Sequence, residues 1–389
     1  MNRREFLRTV GAAVFALPGA PAPRTAFPRA RAPRTAAQTR PSYSTRAIDL
    51  VNESIVVDML HQIVYRFDQA EVLKRWLYQP GGFTEAEFDQ YRRSGITVIA
   101  LGRGSGEYEN ALRHIAEFNG FIAAYPERLV RVTRADDFAR AKRERKLGIL
   151  LSFQNSIHFR TPDEVDLFYG LGQRESQLTY NFKNAIGSGA FETPDTGLTD
   201  FGLRIVERMN ATGMVVDVAH GGDRTILDAC AASTRPVIIS HGNCRALNPG
   251  HPRCVTDEAI RALAKTGGVI GINFISFMVK AKEPTTVDDV IDHVDHVRDL
   301  VGIEHVGIGS DFGLESNDHV TDRDAFRRFL ASADARYRVH AREAVADLDH
   351  PLRLFTLTEA LVRRGYTNEQ IKLVIGGNFQ RVLSQVWRR

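Results

Sequence analysis

The sequence predicts an α/β chain whose parallel strands close into a (β/α)8 barrel, with additional helices after the last strand. Eight apolar runs of strand length recur along the chain, and a stretch with helical features follows each one. The runs span residues 54–60, 96–101, 147–153, 176–180, 214–219, 235–240, 268–274 and 305–311. Eight alternations over about 270 residues match the number and size of such a barrel. A doubly wound open sheet is the alternative.

The helices between the strands have recognisable start and stop signals. Thr84 with Glu87 has the pattern of a capping box, and a proline follows Thr161 where the next helix is expected to open. We predict helices over residues 84–94, 107–125, 135–145, 199–212, 223–233, 256–265 and 286–301. The tail from about residue 321 is expected to add three or four helices around the barrel's flank, the last over 378–387.

The clearest β-α-β unit has a histidine at the end of both of its strands. His220 follows the strand 214–219, and His241 follows the strand 235–240. Ligands and reacting groups collect at the carboxyl ends of parallel strands. The two imidazoles are therefore a candidate metal-binding pair. The alternative is that both histidines only tie strand ends to loops by hydrogen bonds.

The charge of the chain belongs to its first residues. The formal net charge is +4, but residues 1–46 contain nine arginines and one acid, which leaves 42 basic and 46 acidic residues in the rest. The body is therefore mildly acidic, which excludes a basic nucleic-acid-binding domain. Its 43% hydrophobic content and its length suit one large domain.

The N-terminal segment is typical of an export signal. Arg3 and Arg4 precede a short apolar run from Val10 to Leu17, which resembles a twin-arginine signal and is too short for a permanent membrane span. We predict a signal over 1–20, a spacer rich in Pro, Ala and Arg over 21–46, and a single domain over 47–389. The protein is expected to be periplasmic or extracellular.

The cysteines do not form a disulfide framework. There are three, Cys230, Cys244 and Cys254, and we expect buried free thiols. A pair between Cys244 and Cys254 in an oxidising compartment is the alternative.

Polar side chains close several of the predicted strands. In a barrel these side chains would face one cavity. His61 and Gln62 lie just beyond the first strand, and the residues at the other strand ends are Gln154, Tyr180, His220, His241 and Asp311. A metal on imidazoles activates water and polarises a carbonyl, and Asp311 could shuttle a proton. Arg253, on the loop after the sixth strand, could bind a carboxylate. Phosphate-binding loops and a G-x-S-x-G elbow are absent from the sequence.

The order of motifs resembles the membrane dipeptidase family, peptidase family M19. The resemblance spans roughly residues 50–388 and is densest over 197–312. Its motifs are Leu178-Thr-Tyr-Asn, Gly197-Leu-Thr-Asp-Phe-Gly, Gly213-Met-Val-Val-Asp-Val-Ala-His, Pro236-Val-Ile-Ile-Ser-His, Gly267-Gly-Val-Ile-Gly-Ile, Val306-Gly-Ile-Gly-Ser-Asp-Phe and Gly376-Gly-Asn-Phe-Gln-Arg-Val. The resemblance implies a (β/α)8 barrel with two zinc ions that hydrolyses dipeptides and related amides.

The same resemblance implies roles for individual residues. His220 and His241 match the two histidines of the second zinc, and Asp311 matches the aspartate that handles the proton. Arg253 matches the arginine that binds the terminal carboxylate of the substrate. Tyr180 stands where animal members have a histidine that supports the reacting carbonyl.

The sequence departs from the family at the first zinc. The family pattern Asp-Gly-His-x-Asp is replaced by Asp58-Met-Leu-His-Gln, so that Leu60 and Gln62 stand at the two ligand positions. His61 is one residue out of register and is expected on the opposite face of its strand unless a bulge intervenes. Gln154 replaces the glutamate that bridges both ions. Without these carboxylates, two zinc ions would lack balancing charge, so we predict one divalent ion held by His220, His241 and Gln154, with Asp311 as a further candidate ligand. A site without metal is the alternative.

These observations favour a metal-dependent hydrolase of a dipeptide or dipeptide-like amide, with a small peptide as its partner. One alternative is a catalytically degraded barrel that binds a small peptide or assists the maturation of an exported molecule. Another is metal-independent or metal-assisted chemistry on a different substrate, in which Tyr180 and Asp311 act as acid and base. We expect no nucleic-acid partner and no stable membrane span, and a homodimer is left open.

Overall fold

The computed structural model describes residues 42–102 and 106–387 and contains the predicted barrel. In the described ranges, all neighbouring strands pair in parallel, and the barrel order is β1-β2-β4-β5-β6-β7-β8-β9. The strands are β1 (Val57–His61), β2 (Val98–Leu101), β3 (Leu129–Arg131), β4 (Leu147–Phe153), β5 (Gln173–Gln177), β6 (Val215–Asp217), β7 (Ile238–Gly242), β8 (Val269–Ile272) and β9 (Val306–Ile308). Strand β3 lies outside this order and pairs with the first residues of β4.

The first and last strands meet just past their carboxyl ends. The backbone N–H of Asp311 donates to the carbonyl of Leu60 at 2.9 Å, and the N–H of Gln62 donates to the carbonyl of Phe312 at 3.1 Å. These bonds bring the end of β1 against the residues that follow β9. The fold class predicted from the sequence, a (β/α)8 barrel with extra C-terminal helices, is therefore confirmed.

Helices follow the strands and surround them. They are α1 (Thr45–Glu53), α2 (Ala70–Tyr78), α3 (Glu85–Ser94), α4 (Tyr108–Ala124), α5 (Asp136–Glu144), α6 (Glu164–Leu171), α7 (Asp200–Thr212), α8 (Asp223–Ala232), α9 (Asp257–Lys265), α10 (Ser276–Val279), α11 (Val287–Val301), α12 (Arg323–Ser332), α13 (Arg353–Arg363), α14 (Asn368–Lys372) and α15 (Asn378–Val386). Helix α3 has the predicted capping box between Thr84 and Glu87.

The barrel interior is filled by apolar residues from the strands. Val57, Val98, Leu150 and Val269 are fully buried members of one cluster. Phe379 of α15 joins this cluster and packs so closely on Gly307 that a β-carbon there would lie 2.2 Å from its ring. The last helix thus packs against the inward residues of the strands, whereas the sequence had suggested a place on the flank.

One strand lies elsewhere than predicted. The fourth barrel strand is Gln173–Gln177, three residues before the predicted run 176–180. Its sequence QRESQ is polar, although four of its five residues are buried, so that it lacks the apolar signature on which the prediction depended. Tyr180 therefore lies in the loop after the strand. Helices α1 and α2 were not predicted.

Two further predictions concern targeting and cysteines. The signal and most of the spacer lie outside the described residues, so export remains a prediction. Within the described ranges, no helix combines the length and the apolar character needed to cross a bilayer. All three cysteines are buried and free, as expected, and the thiol of Cys254 donates to the carbonyl of Met278 at 3.4 Å.

Candidate active site

The structure brings four of the predicted site residues together beyond the strand ends. The ring centroids of His220 and His241 are 4.9 Å apart, and Nε2 of His241 lies 4.0 Å from a carboxylate oxygen of Asp311. The ring of Tyr180 stacks on that of His220 with the centroids 4.0 Å apart. Two imidazoles, a carboxyl group and a phenol therefore form one cluster.

The backbone at this cluster is unusual. His220, Asp311 and Asn181 have φ values of 62°, 65° and 54°, in the left-handed region that side-chain-bearing residues rarely adopt. Such conformations persist where the surrounding structure determines them, and they concentrate at functional sites. Here they follow β5, β6 and β9, in the segments that carry the side chains of the site.

The protonation of His241 follows from its partners. The hydroxyl of Ser240 donates its hydrogen to Asp217 at 2.6 Å, so its oxygen accepts from Nδ1–H of His241 at 2.9 Å. Nε2 of His241 is buried and has no hydrogen-bond partner among the described residues. Burial, and next the charge of Arg253, hold the pKa of His241 well below its usual range. His241 is thus neutral and presents an Nε2 lone pair.

His220 is held in the same state by a different residue. The amide nitrogen of Asn181 donates to the hydroxyl of Tyr337 at 2.6 Å, which leaves its amide oxygen to accept from Nδ1–H of His220 at 2.7 Å. Burial also keeps the pKa of His220 well below its usual range. Both imidazoles are therefore fixed as Nδ1–H tautomers, the arrangement that metal-binding histidines require.

Asp311 combines burial with few partners. Its side chain is 14% exposed. Burial raises its pKa to about 7, while the nearby Arg253 and a hydrogen bond from Gln62 act in the opposite direction. A carboxyl group that titrates near neutrality can both accept and release a proton.

Arg253 is a buried cation that forms no salt bridge with any residue that the structure describes. It is 3% exposed, and its Nε and Nη2 atoms have no hydrogen-bond partner among the described residues. Its charge acts on the pKa values of His220, His241 and Asp311. An uncompensated buried guanidinium is costly, so this position favours an incoming anion.

The residues that depart from the family pattern meet on the other side of Asp311. The amide nitrogen of Gln62 donates to the amide oxygen of Gln154 at 3.4 Å. Leu60 and Gln62 flank Gly102, where a β-carbon would lie 2.9 Å from Leu60 and 2.6 Å from Gln62. This corner of the site contains two amides and an apolar side chain, and no carboxylate from these positions.

His61 does not join the site residues described above. The pairing of β1 with β2 shifts by one residue between Asp58 and His61, which is a β-bulge. Nδ1 of His61 lies 3.1 Å from the Asp58 carboxylate, and its ring packs edge-on against Tyr91 of α3. His61 therefore packs against helix α3 even though the strand pairing shifts here, whereas the sequence predicted that a bulge would return it to the face of the site.

Comparison with known proteins identifies the family. The model of the membrane dipeptidase family, peptidase family M19, matches residues 83–345, which is more than half of the chain. The chain belongs to this family. The family assignment made from the sequence motifs is therefore confirmed.

Curated relatives of this M19 member include two fungal proteins. Dipeptidase tcpJ of Claviceps purpurea is 29% identical over 302 residues, which cover 74% of this chain and 64% of the relative. An uncharacterised dipeptidase of Schizosaccharomyces pombe is 34% identical over 211 residues, which cover 52% of this chain and 50% of the relative. The chain thus matches less than two thirds of the length of either protein.

Solved structures share the fold of this M19 member. An amidohydrolase from Pseudomonas aeruginosa superposes with a TM-score of 0.74 at 27% identity, covering 88% of this chain and 99% of that one. A metallopeptidase from Rhodobacter sphaeroides, liganded with a phosphinate mimic of the dipeptide L-Ala-D-Ala, superposes with a TM-score of 0.70 at 18% identity. It covers 86% of this chain and 100% of that one.

Sequence reasoning missed the residues that orient the site. Asn181 and Ser240 each hold a histidine, and Asp217 holds Ser240. The sequence does contain one indication of the role of Ser240, because a serine directly precedes both His241 and Asp311. The hydrogen bond between Gln62 and Gln154 joins positions 92 residues apart, and no pattern in the sequence indicates it.

Proposed function

We propose that this protein hydrolyses the peptide bond of a dipeptide or dipeptide-like amide, using one divalent ion, zinc, held by His220 and His241. Membership of the M19 family supports this function. The observation that carries the proposal is the pair of buried imidazoles, 4.9 Å apart and both fixed as Nδ1–H tautomers, beside Asp311 and Arg253. The dipeptide mimic bound to the Rhodobacter sphaeroides metallopeptidase of the same fold is consistent with it.

We propose that the site holds one metal ion and not two. The buried, unpartnered Nε2 of His241 is a ligand atom without another role, and His220 is held as the same Nδ1–H tautomer by Asn181. In the described ranges, no group of three or more His, Cys, Asp and Glu side chains could hold a metal ion. The Gln154 oxygen, the third ligand expected from the sequence, already accepts from Gln62 at 3.4 Å, and its role as a ligand remains a prediction. A divalent ion on the two imidazoles would supply Lewis acidity to the peptide carbonyl and activate water.

Arg253 orients the substrate. Its unpartnered Nε and Nη2 atoms are adjacent donors on one edge of the guanidinium, which matches the two oxygens of a carboxylate. A dipeptide carries a carboxylate one residue beyond its scissile bond. Binding there removes the cost of the buried charge only when the correct ligand is present.

Asp311 moves the proton. Its carboxyl group lies 4.0 Å from His241 and has a pKa near neutrality because it is buried. It can accept a proton from the attacking water and donate one to the leaving amine. Its hydrogen bond from Gln62 fixes the carboxyl group without neutralising it.

Tyr180 keeps its proton and shields the site. Burial raises the pKa of its hydroxyl, so the phenol remains a hydrogen-bond donor at neutral pH. Its ring lies flat on His220 and excludes water from one side of that imidazole. We assign it to the substrate carbonyl, which its hydroxyl can polarise.

The function is tested by titrating Zn²⁺ into metal-free protein and following hydrolysis of a panel of L,L- and L,D-dipeptides. We expect hydrolysis to reach its maximum at about one equivalent of zinc, because the protein has one pair of imidazoles. Chelator should abolish the activity, and added zinc should restore it. Zinc binding without turnover of any dipeptide would instead indicate the degraded, peptide-binding barrel.

The one-metal assignment makes a separate prediction about Gln62 and Gln154. The double variant Gln62→Asp/Gln154→Glu places two carboxylates beside Asp311, which supplies the charge that a second ion needs. We expect zinc content measured by mass spectrometry to rise from about one to about two equivalents. The variant without metal should be less stable than the parent because three carboxylates then repel one another.

The matched control is the neutral variant Gln62→Asn, which should remain at one equivalent. A parent protein that already binds two ions would contradict the one-metal assignment. A double variant that stays at one ion would show that charge is not what limits the first metal position.

A further inference from the structure

Two buried aspartates bind two serines with the same geometry. Oδ1 of Asp217 accepts from the backbone N–H of Ser240 at 2.9 Å, and Oδ2 accepts from its hydroxyl at 2.6 Å. Oδ1 of Asp58 accepts from the backbone N–H of Ser310 at 2.8 Å, and Oδ2 accepts from its hydroxyl at 2.5 Å. All four residues are fully buried. We call each pair a carboxylate–serine clamp.

Each clamp joins two strands that are neighbours in the barrel. Asp217 ends β6, and Ser240 belongs to the adjacent β7. Asp58 belongs to β1, and Ser310 follows β9, the strand that closes on β1. Each aspartate has further buried partners. The side chain of Glu175 and the backbone N–H of Ala219 hydrogen-bond to Asp217, and His61 hydrogen-bonds to Asp58.

The residue after each serine is a site residue. His241 follows Ser240 and donates from Nδ1 to its hydroxyl oxygen. Asp311 follows Ser310, has a φ of 65°, and donates its own backbone N–H to Leu60. The first clamp therefore sets the tautomer of an imidazole, and the second holds the backbone from which the carboxyl group projects.

We propose that Asp217 and Asp58 are positioning residues for this reaction, each acting through its serine on His241 or Asp311. The proposal rests on the proposed function for its catalytic consequence. The tautomer of His241 and the zinc affinity do not depend on hydrolysis, so they are measurable even if no dipeptide is cleaved.

The exchange Asp217→Asn reverses the donor and acceptor in the side-chain hydrogen bonds of the first clamp. The amide nitrogen would donate to the Ser240 oxygen, and the hydroxyl would then donate to Nδ1 of His241. His241 would become the Nε2–H tautomer, whose lone pair is on Nδ1, so that Nε2 has none to offer a metal. Exchanging a carboxylate for an amide in this way is known to leave a histidine in the wrong tautomer with little change of geometry.

The test is ¹⁵N NMR of metal-free protein with labelled histidine. The parent should show His241 as the Nδ1–H tautomer, Asp217→Asn as the Nε2–H tautomer, and Ser240→Ala a mixture. Zinc affinity should fall at least about 10-fold in Asp217→Asn. A purely structural role would lower the melting temperature without reversing the tautomer. An unchanged tautomer, or a zinc affinity equal to that of the parent, would overturn the proposal.

The role of the second clamp is distinguished from that of the first by its effect on kcat. Asp58→Asn and Ser310→Ala should each lower kcat by about 10-fold or more, because Asp311 loses its position. Zinc affinity and KM should stay close to the parent values, because both imidazoles keep theirs. Ser310→Ala deletes one hydroxyl and is the milder change if Asp58→Asn folds poorly. Equal loss of zinc affinity at both clamps, or no loss of kcat at the second, would contradict separate roles.

Discussion

Replacing Arg253 by methionine should destroy substrate selection and at the same time stabilise the protein. The guanidinium is 3% exposed, and two of its nitrogen atoms have no partner among the described residues. Losing one side of a buried charge pair costs about 2–5 kcal/mol, so kcat/KM for a dipeptide should fall about 10²–10³-fold. Removing an unsatisfied buried cation should raise the free energy of unfolding by about 1 kcal/mol or more.

The decisive comparison is between a dipeptide and the same dipeptide amidated at its C-terminus. The parent should prefer the free acid, and Arg253→Met should cleave both equally slowly. Arg245 is the matched control because it lies on the same loop but already pairs with Asp223 at 2.5 Å. Arg245→Met should keep the preference and lose stability. If Arg253→Met retained the preference for the free acid, the guanidinium would not be the carboxylate site.

These opposite effects follow from how the loop after β7 is built. Arg245 has its carboxylate within the chain, whereas Arg253 has none among the described residues and depends on a ligand for one. The family motif selects Arg253 from the sequence. The sequence does not show that Arg245 is already paired, since its partner Asp223 lies 22 residues away. Burial and partners, which only the fold supplies, make one a structural residue and the other a binding residue.

The sequence predicted most of the barrel because its strands are apolar and strands buried on both faces read as continuous runs. It misplaced β5 because QRESQ buries polar side chains that are satisfied inside the protein, as when the Gln173 oxygen lies 3.2 Å from Nε2 of His158. Tertiary hydrogen bonds of this kind produce no periodic pattern of apolar residues in the sequence. The prediction therefore extended the strand to Tyr180, which lies in the loop.

The site could be predicted where a functional residue ends a recognisable strand. His220, His241 and Asp311 all do so, and the structure brings them together. The residues that orient these side chains could not be predicted in the same way, because Asn181 and Asp217 form their hydrogen bonds with residues of neighbouring strands or loops. The positive φ of His220 and Asp311 was also invisible, since neither is a glycine.

The exchange Asp311→Asn should abolish most catalysis while leaving the fold and the metal site intact. Asparagine has the same shape and tolerates a φ of 65° better than most residues, so the backbone should not change. The amide cannot take up a proton at neutral pH, and loss of a positioned acid–base group lowers rates about 10²–10⁴-fold. We expect kcat to fall in this range, with KM and zinc content unchanged, because Arg253 and the imidazoles remain.

Steady-state kinetics on one dipeptide, together with metal analysis of the same preparation, checks this expectation. Asp288→Asn is the matched control, because that carboxylate is 55% exposed on α11 and should leave kcat at the parent value. A kcat within about tenfold of the parent would remove Asp311 from the proton transfer. A loss of zinc together with activity would instead make Asp311 a metal ligand. The 4.0 Å between its carboxylate and Nε2 of His241 places the carboxyl group beside the nitrogen that would hold the metal, so the zinc content of the variant decides between the two roles.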